Sequence, residues 1–194
     1  MSFIEWGKQV LDQEIAALEA MRNRLDNKFT IAVKATKSCK GKVIVTGIGK
    51  SGHVARKIAA TMASLGIPSF FLHSCEAMHG DTGMIQSKDL LIAISNSGNT
   101  REVVETASRA RQIGTKVIAM TGNKESALAA VADIILDIYV ESEADHLNLA
   151  PTSSSTATIA LGDALAVAAS RAIEFTKSDF NFFHSGGELG NKSK

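Results

Sequence analysis

With 194 residues, 45% of them apolar and 21% charged, the chain has enough apolar mass for one well-buried core, which excludes a disordered or fibrous class. A formal net charge of +1 excludes a global field able to gather nucleic acid or an anionic membrane, so any anion site must be built locally. The two cysteines, Cys39 and Cys75, suggest neither a zinc pair nor a disulfide framework, and no stretch reaches the roughly 20 apolar residues of a membrane span. The expectation is a cytoplasmic protein that takes a small-molecule partner, with no nucleic acid and no membrane.

From Phe3 to about Leu25, apolar residues recur at helical spacing (Ile4, Leu11, Ile15, Leu18, Met21), and a second helix is expected from Asn27 to about Thr36. Together they form an N-terminal helical extension over about residues 1–40 of a single domain covering 1–194. After Lys42 the pattern changes. Val43, Ile44 and Val45 form a β-branched run ending in Gly47, Ile48 and Gly49, as a buried parallel strand entering a tight turn does. A helix from His53 to Leu65 is expected next. Strands Ser69 to Leu72, Leu90 to Ile94, Lys116 to Met120 and Ile134 to Tyr139 follow, with helices Thr100 to Ile113 and Glu125 to Ala132 between them. A last, alanine-rich helix begins near Thr152 and runs through Ala169. Parallel strands need helical crossovers on both faces, so the fold class is α/β: a three-layer α-β-α sandwich around a five-stranded parallel sheet.

In such a sheet ligands sit beyond the carboxyl ends of the strands, where loops enter helix N-termini. Three loops there have the composition of anion cradles. Residues 47–53 offer Gly49 and Gly52 for close backbone approach, with Lys50 and Ser51 as donors; residues 95–100 offer Ser95, Asn96, Ser97 and Thr100; residues 151–156 offer a hydroxyl cluster, Thr152, Ser153, Ser154, Ser155 and Thr156, with Thr152 and Ser153 as the candidate ligands. Three such loops at one edge favour a phosphorylated ligand. Gly47, Gly49 and Gly52 also fit a dinucleotide fingerprint, but the acidic residue that grips the ribose is missing where Phe71, Leu72 and His73 end the second strand. A P-loop is excluded because Ile44 stands where its first glycine is required. Asn99 with Glu102 three residues on also fits a capping box, and from the loop alone capping and catalysis are equally good accounts.

Several motifs together resemble the sugar isomerase (SIS) domain family, and within it the arabinose-5-phosphate isomerases. They are Gly-Ile-Gly-Lys-Ser-Gly-His at 47–53, Glu-Ala-Met-His-Gly-Asp at 76–81, Ile-Ser-Asn-Ser-Gly at 94–98, Leu-Ala-Pro-Thr-Ser-Ser at 149–154, Gly-Asp-Ala-Leu-Ala-Val at 162–167, and Asp179, Phe180 and His184-Ser185-Gly186-Gly187. The resemblance implies interconversion of D-ribulose 5-phosphate and D-arabinose 5-phosphate, feeding Kdo synthesis for lipopolysaccharide or capsule, with no cofactor. It also implies a homotetramer whose active sites are shared between subunits. By motif, Ser51, Ser95, Ser97 and Thr100 correspond to phosphate ligands, with Lys50, Glu102, Glu143 and His184 around the sugar. Shifting a carbonyl between C1 and C2 needs a base, a group that stabilises the enediolate and an acid. Glu143 or Glu102 fits the base, His184 a proton shuttle that could also open the sugar ring, and Lys50 the electrostatic stabiliser. His79 and Asp81 are expected on sugar hydroxyls or as braces of their loop; His79 is also a candidate metal ligand, but the spacing with Asp81 and His53 or His73 fits no standard zinc pattern, so no metal is expected.

The chain departs from the family pattern in places. Usual members continue into a pair of CBS repeats after the segment that ends here near Lys194. Ser74 and Cys75 replace a usual Pro-Gly, Asn99 a common glutamate, Ser185 a proline, and His146, Leu147 and Asn148 a common Pro-Leu-Gly. Since these changes border the sugar pocket, the reaction class is better defined than the substrate. Two other functions compete: a 3-hexulose-6-phosphate isomerase, and a sugar-phosphate sensor of the kind found in transcriptional regulators. The sensor would be expected to carry a helix-turn-helix, whereas residues 1–40 read as a long helix without a basic recognition helix.

Overall fold

The computed structural model describes residues 2–184. Five strands, β1 (Val43–Gly47), β2 (Ser69–His73), β3 (Leu90–Ile94), β4 (Lys116–Thr121) and β5 (Ile134–Asp137), form one sheet in the order β2-β1-β3-β4-β5. Every pairing is parallel, with Val43 opposite both Ser69 and Leu90, Leu90 opposite Lys116, and Ile118 opposite Ile134. The helices are α1 (Phe3–Asn23), α2 (Asn27–Ser38), α3 (Gly49–Ser64), α4 (Ser74–Met78), α5 (Arg101–Ile113), α6 (Ala127–Val131), α7 (Ser153–Ala172) and α8 (Lys177–Phe183). A short 3-10 turn covers Asp81–Met84.

Two-residue alternation along the inner strands explains why helices cover both faces. Val43, Val45, Ile92, Ile118 and Met120 bury their side chains with Ile58 and Met62 of α3 and Leu161 and Leu165 of α7. Ile44, Leu91, Ala93, Val117 and Ala119 point the other way, against Val103, Ala107 and Ala110 of α5 and Leu128 of α6. Every residue of β1 and β3 is buried, as expected of central parallel strands. The expected three-layer α/β architecture is therefore present. Among the described residues, no single helix is long and apolar enough to cross a membrane.

Several boundaries differ from those read in the sequence. Helix α3 starts at Gly49 rather than His53, because the glycine-rich segment itself winds into the first turn, with the Gly52 N–H donating to Ile48 O at 3.1 Å. Strand β5 stops at Asp137, short of Tyr139. The Asp137 carboxylate takes the Tyr139 N–H at 2.9 Å and pairs with Lys124 at 2.9 Å and Arg24 at 3.3 Å, turning the chain out of the ladder. Helices α4 and α8 leave no periodic signal in the sequence because five and seven residues are too short to display one.

Glycine 162 sets the spacing of the two helices that pack on the β1 face. A Cβ there would lie 2.3 Å from Cδ1 and 2.5 Å from Cγ1 of Ile58, which is fully buried. Gly162→Ala should therefore destabilise the fold by about 1–2 kcal/mol in urea unfolding, despite the higher helix propensity of alanine. A gain in stability would show that α3 and α7 can move apart freely.

Candidate functional site

The sheet order reverses direction at β1. Helix α3 leaves β1 toward one face and α5 leaves β3 toward the other, so the carboxyl ends of β1 and β3 border a crevice. Lys50 and Ser51 enter it from the first turn of α3. Lys50 is exposed and, among the described residues, its ammonium group has no hydrogen-bond or ion-pair partner.

The β3 loop is preorganised by its own hydroxyls. Ser95 is 3% exposed and lies 2.9 Å from Thr100 Oγ1, and its Oγ accepts the Gly98 N–H at 3.1 Å. Ser97 Oγ accepts the Asn99 N–H at 3.2 Å. Gly98 has a φ of +67°, and a Cβ there would lie 2.0 Å from Ser126 Oγ, so only glycine permits this turn. The capping-box expectation for Asn99 is corrected. The N-cap of α5 is Thr100, and Asn99 Oδ1 instead accepts the Ala127 N–H at 3.1 Å, at the start of α6. One residue of offset is enough to end the pairing with Glu102, which lies in the first turn of α5, half-buried. From α5, Thr106 Oγ1 donates to Glu102 O at 2.7 Å and reaches Ser74 O at 3.5 Å. Ser74 Oγ lies 2.7 Å from Thr46 Oγ1. These buried hydroxyls thereby join β1, α4 and α5 behind the crevice.

The third wall is the start of α7. Lys50, Ser51, Asn96, Pro151, Ser154 and Ser155 line a narrow cleft of about 40 Å³, with room for a few waters or a small anion. All three expected loops thus meet, although Ser154 and Ser155, not Thr152 and Ser153, reach the cleft. Ser153 is fully buried, and its Oγ has no hydrogen-bond partner among the described residues. Ser154 and Ser155 were recognisable only as members of a hydroxyl run; the helical phase that selects them appears once α7 is known to begin at Ser153.

Thr152, the N-cap of α7, makes no side-chain cap, and the carboxylate of Glu143 takes over that role. Its Oε2 accepts from the Thr152 N–H at 2.8 Å, Thr152 Oγ1 at 3.2 Å and the Ser154 N–H at 3.1 Å, and its Oε1 accepts from Ser154 Oγ. Burial pushes the Glu143 pKa up, but the hydrogen bonds from Ser154 and Thr152 outweigh it and hold the carboxyl below its ordinary value. Glu143 is therefore a resident anion at the N-terminus of a 20-residue helix.

The other expected residues are more scattered. His79 and Asp81 are exposed in the loop after α4. Among the described residues, no group of three or more His, Cys, Asp and Glu side chains could hold a metal ion. His184 caps α8, stacks on Phe180 with ring centroids 3.8 Å apart, and its Nδ1 lies 2.9 Å from Phe180 O. Its neighbour Phe183 lines a cavity with Lys42, Gly66, Pro68 and Ser69, at the amino end of β1 and β2. A five-residue strand spans roughly 16 Å, so His184 lies toward the opposite edge of the sheet from the cleft in its own chain. Ser185, Gly186 and Gly187 lie outside the described residues.

Residues 38–168 match the family described as the SIS domain. The chain is 48% identical over 192 residues to the arabinose 5-phosphate isomerase KdsD of Pseudomonas aeruginosa, covering 99% of this chain and 59% of that protein. It is likewise 48% identical over 190 residues to KdsD of Escherichia coli K12, covering 98% of this chain and 58% of that one. The chain thus spans less than two thirds of the length of these relatives. An E. coli CFT073 protein solved in complex with arabinose 5-phosphate superposes with a TM-score of 0.91 at 43% identity, covering 95% of this chain and all of that one.

The cap makes a pH-dependent prediction. Because the folded pKa of Glu143 is depressed, its contribution to stability is complete above the unfolded carboxylate value, about 4.3, and fades as pH falls through the folded value. Glu143→Gln should lower stability by about 1 kcal/mol at pH 7, with the difference from wild type shrinking below about pH 4. Urea midpoints at the two pH values measure it, and a pH-independent difference would refute the charged cap.

Proposed function

The chain belongs to the SIS domain family, and from that premise we propose that it is an aldose-ketose isomerase interconverting D-ribulose 5-phosphate and D-arabinose 5-phosphate. The observation that carries the proposal is the cleft in which Lys50, Ser51, Asn96, Ser154 and Ser155 converge from three loops at the β1–β3 reversal. Such a cleft suits the phosphate, and the half-buried Glu102 and exposed Lys50 beside these loops suit the sugar. The relatives named as arabinose 5-phosphate isomerases, and the similar fold solved with arabinose 5-phosphate, support the choice of pentose.

In the proposed reaction, Ser51, Ser95, Ser97 and Thr100 hold the ester with Gly49, Gly52 and Asn96 beside them, and His79 and Asp81 meet the sugar hydroxyls. Glu102 is the base. Its carboxylate makes no hydrogen bond among the described residues, whereas both oxygens of Glu143 are engaged at α7 and its depressed pKa makes it a poor proton acceptor. Glu102 removes the C2 proton of the aldose, the Lys50 ammonium stabilises negative charge on the enediolate oxygens, and return of a proton to C1 yields the ketose. His184 would open the ring and move the proton between O1 and O2. Because His184 lies toward the other sheet edge in its own chain, we assign that role to His184 of a second copy in a homo-oligomer, with a tetramer as the expected assembly. The exposed apolar residues Phe3, Ile4, Leu11 and Ile15 of α1 support association. A cytoplasmic location and a reaction that needs no cofactor are parts of the same proposal.

A coupled assay with D-arabinose 5-phosphate should register ribulose 5-phosphate formation, and Glu102→Gln should lower kcat by at least about 100-fold. Binding without turnover by the unmodified protein would favour a sensor. Mixing the separately inactive Glu102→Gln and His184→Asn chains should restore measurable turnover through sites that combine one intact residue from each. Failure of the mixture despite exchange of subunits would remove the shared site.

A further inference from the structure

Two consecutive residues of α1 bond to the loop and helix turn that back the cleft, although α1 lies outside residues 38–168, the segment matched to the family. Gln13 Nε2 donates to Ser142 Oγ at 2.7 Å and to Glu143 O at 2.9 Å, across about 130 residues of sequence. A side-chain amide nitrogen has two N–H donors, so Gln13 commits both to adjacent residues of one loop. Its neighbour Glu14 accepts from Thr156 Oγ1 at 3.1 Å, within the first turn of α7. Glu143 also donates its N–H to Asn148 Oδ1 at 2.7 Å, while its carboxylate caps α7. The backbone of Glu143 is thus held on both sides and its side chain at the far end.

The geometry points to Gln13 as a positioning residue for the anion cleft: it places Glu143, Glu143 places the first turn of α7, and that turn forms the wall that faces Lys50, Ser51 and Asn96. The N-terminal helix is then a working part of the site. The identity of the ligand as a sugar phosphate rests on the function proposed above; the clamp itself does not. A merely structural Gln13 would tie α1 to the rest of the chain, and its loss would lower stability without acting selectively on ligand affinity.

Two variants of the full chain separate these roles. Gln13→Glu keeps the shape but replaces the donor with an acceptor that opposes Glu143 O, whereas Gln13→Lys keeps a donor of similar reach. In ligand-free protein, hydrogen exchange read by mass spectrometry should quicken by about tenfold at the Thr152 and Ser154 amides in Gln13→Glu and stay near wild type in Gln13→Lys. In turnover of D-arabinose 5-phosphate, Gln13→Glu should raise KM about 5- to 10-fold and change kcat less than about 2-fold, with Gln13→Lys largely rescued. Unchanged exchange at these amides in Gln13→Glu overturns the clamp. So does an equal loss in both variants that follows only their melting temperatures. If the wild-type chain shows no turnover, the functional reading falls while the exchange comparison still decides the clamp.

Discussion

A parallel sheet that is wound outward from an interior strand cannot cover its own middle. In this chain α3 and α5 leave the neighbouring strands β1 and β3 toward opposite faces, and the carboxyl ends of those strands remain uncovered by either crossover. Much of the chemistry follows from that gap. Loops that border it present the starts of helices, where backbone N–H groups lack intrahelical partners, so donors concentrate there before any side chain is chosen. Lys50 adds positive charge there, and Ser51 and Asn96 add polar side chains.

The start of α7 has the same surplus of donors but disposes of it differently. There the negative charge is built into the protein as Glu143, which receives two backbone N–H groups and two hydroxyls. The neighbouring helix termini therefore differ: no side chain caps α3 or α5 among the described residues, whereas α7 is satisfied internally by Glu143. Two carboxylates that look equivalent in the chain acquire different characters in this way. Glu143 is fixed and firmly ionised, while Glu102 stands beside the β3 loop without such a cradle.

Much of this was legible in the residues themselves. The uninterrupted apolar runs of β1, β3 and β4 specify a sheet covered on both faces, and the strand boundaries at Leu90 and Ile94 coincide in sequence and structure. The three loops rich in glycine and hydroxyl residues were also readable as a group, because helix capping accounts for one such loop but not for three at one sheet edge. What could not be read was helical phase and distance. Whether Ser153 or Ser154 faces the cleft depends on where α7 begins, and Thr100 rather than Asn99 as the cap of α5 is a matter of one residue. No periodicity places Gln13 against Glu143 either, since that contact joins segments about 130 residues apart. The position of His184 is a third kind of case: its motif was recognisable, but its distance from the cleft depends on where α8 packs.

Helix α1 is held to the rest of the chain more by polar contacts than by apolar burial of its own. Met21 is its only buried residue, while Phe3, Ile4, Leu11 and Ile15 turn more than half of their surface to the outside. An apolar stripe and a pair of polar tethers thus share one rigid rod, with Ile15 directly after Glu14. Whatever presses on the stripe also presses on the tethers. An outer surface that would ordinarily be regarded as adhesive is thus mechanically joined, through Gln13 and Glu14, to the loop and helix turn that back the cleft.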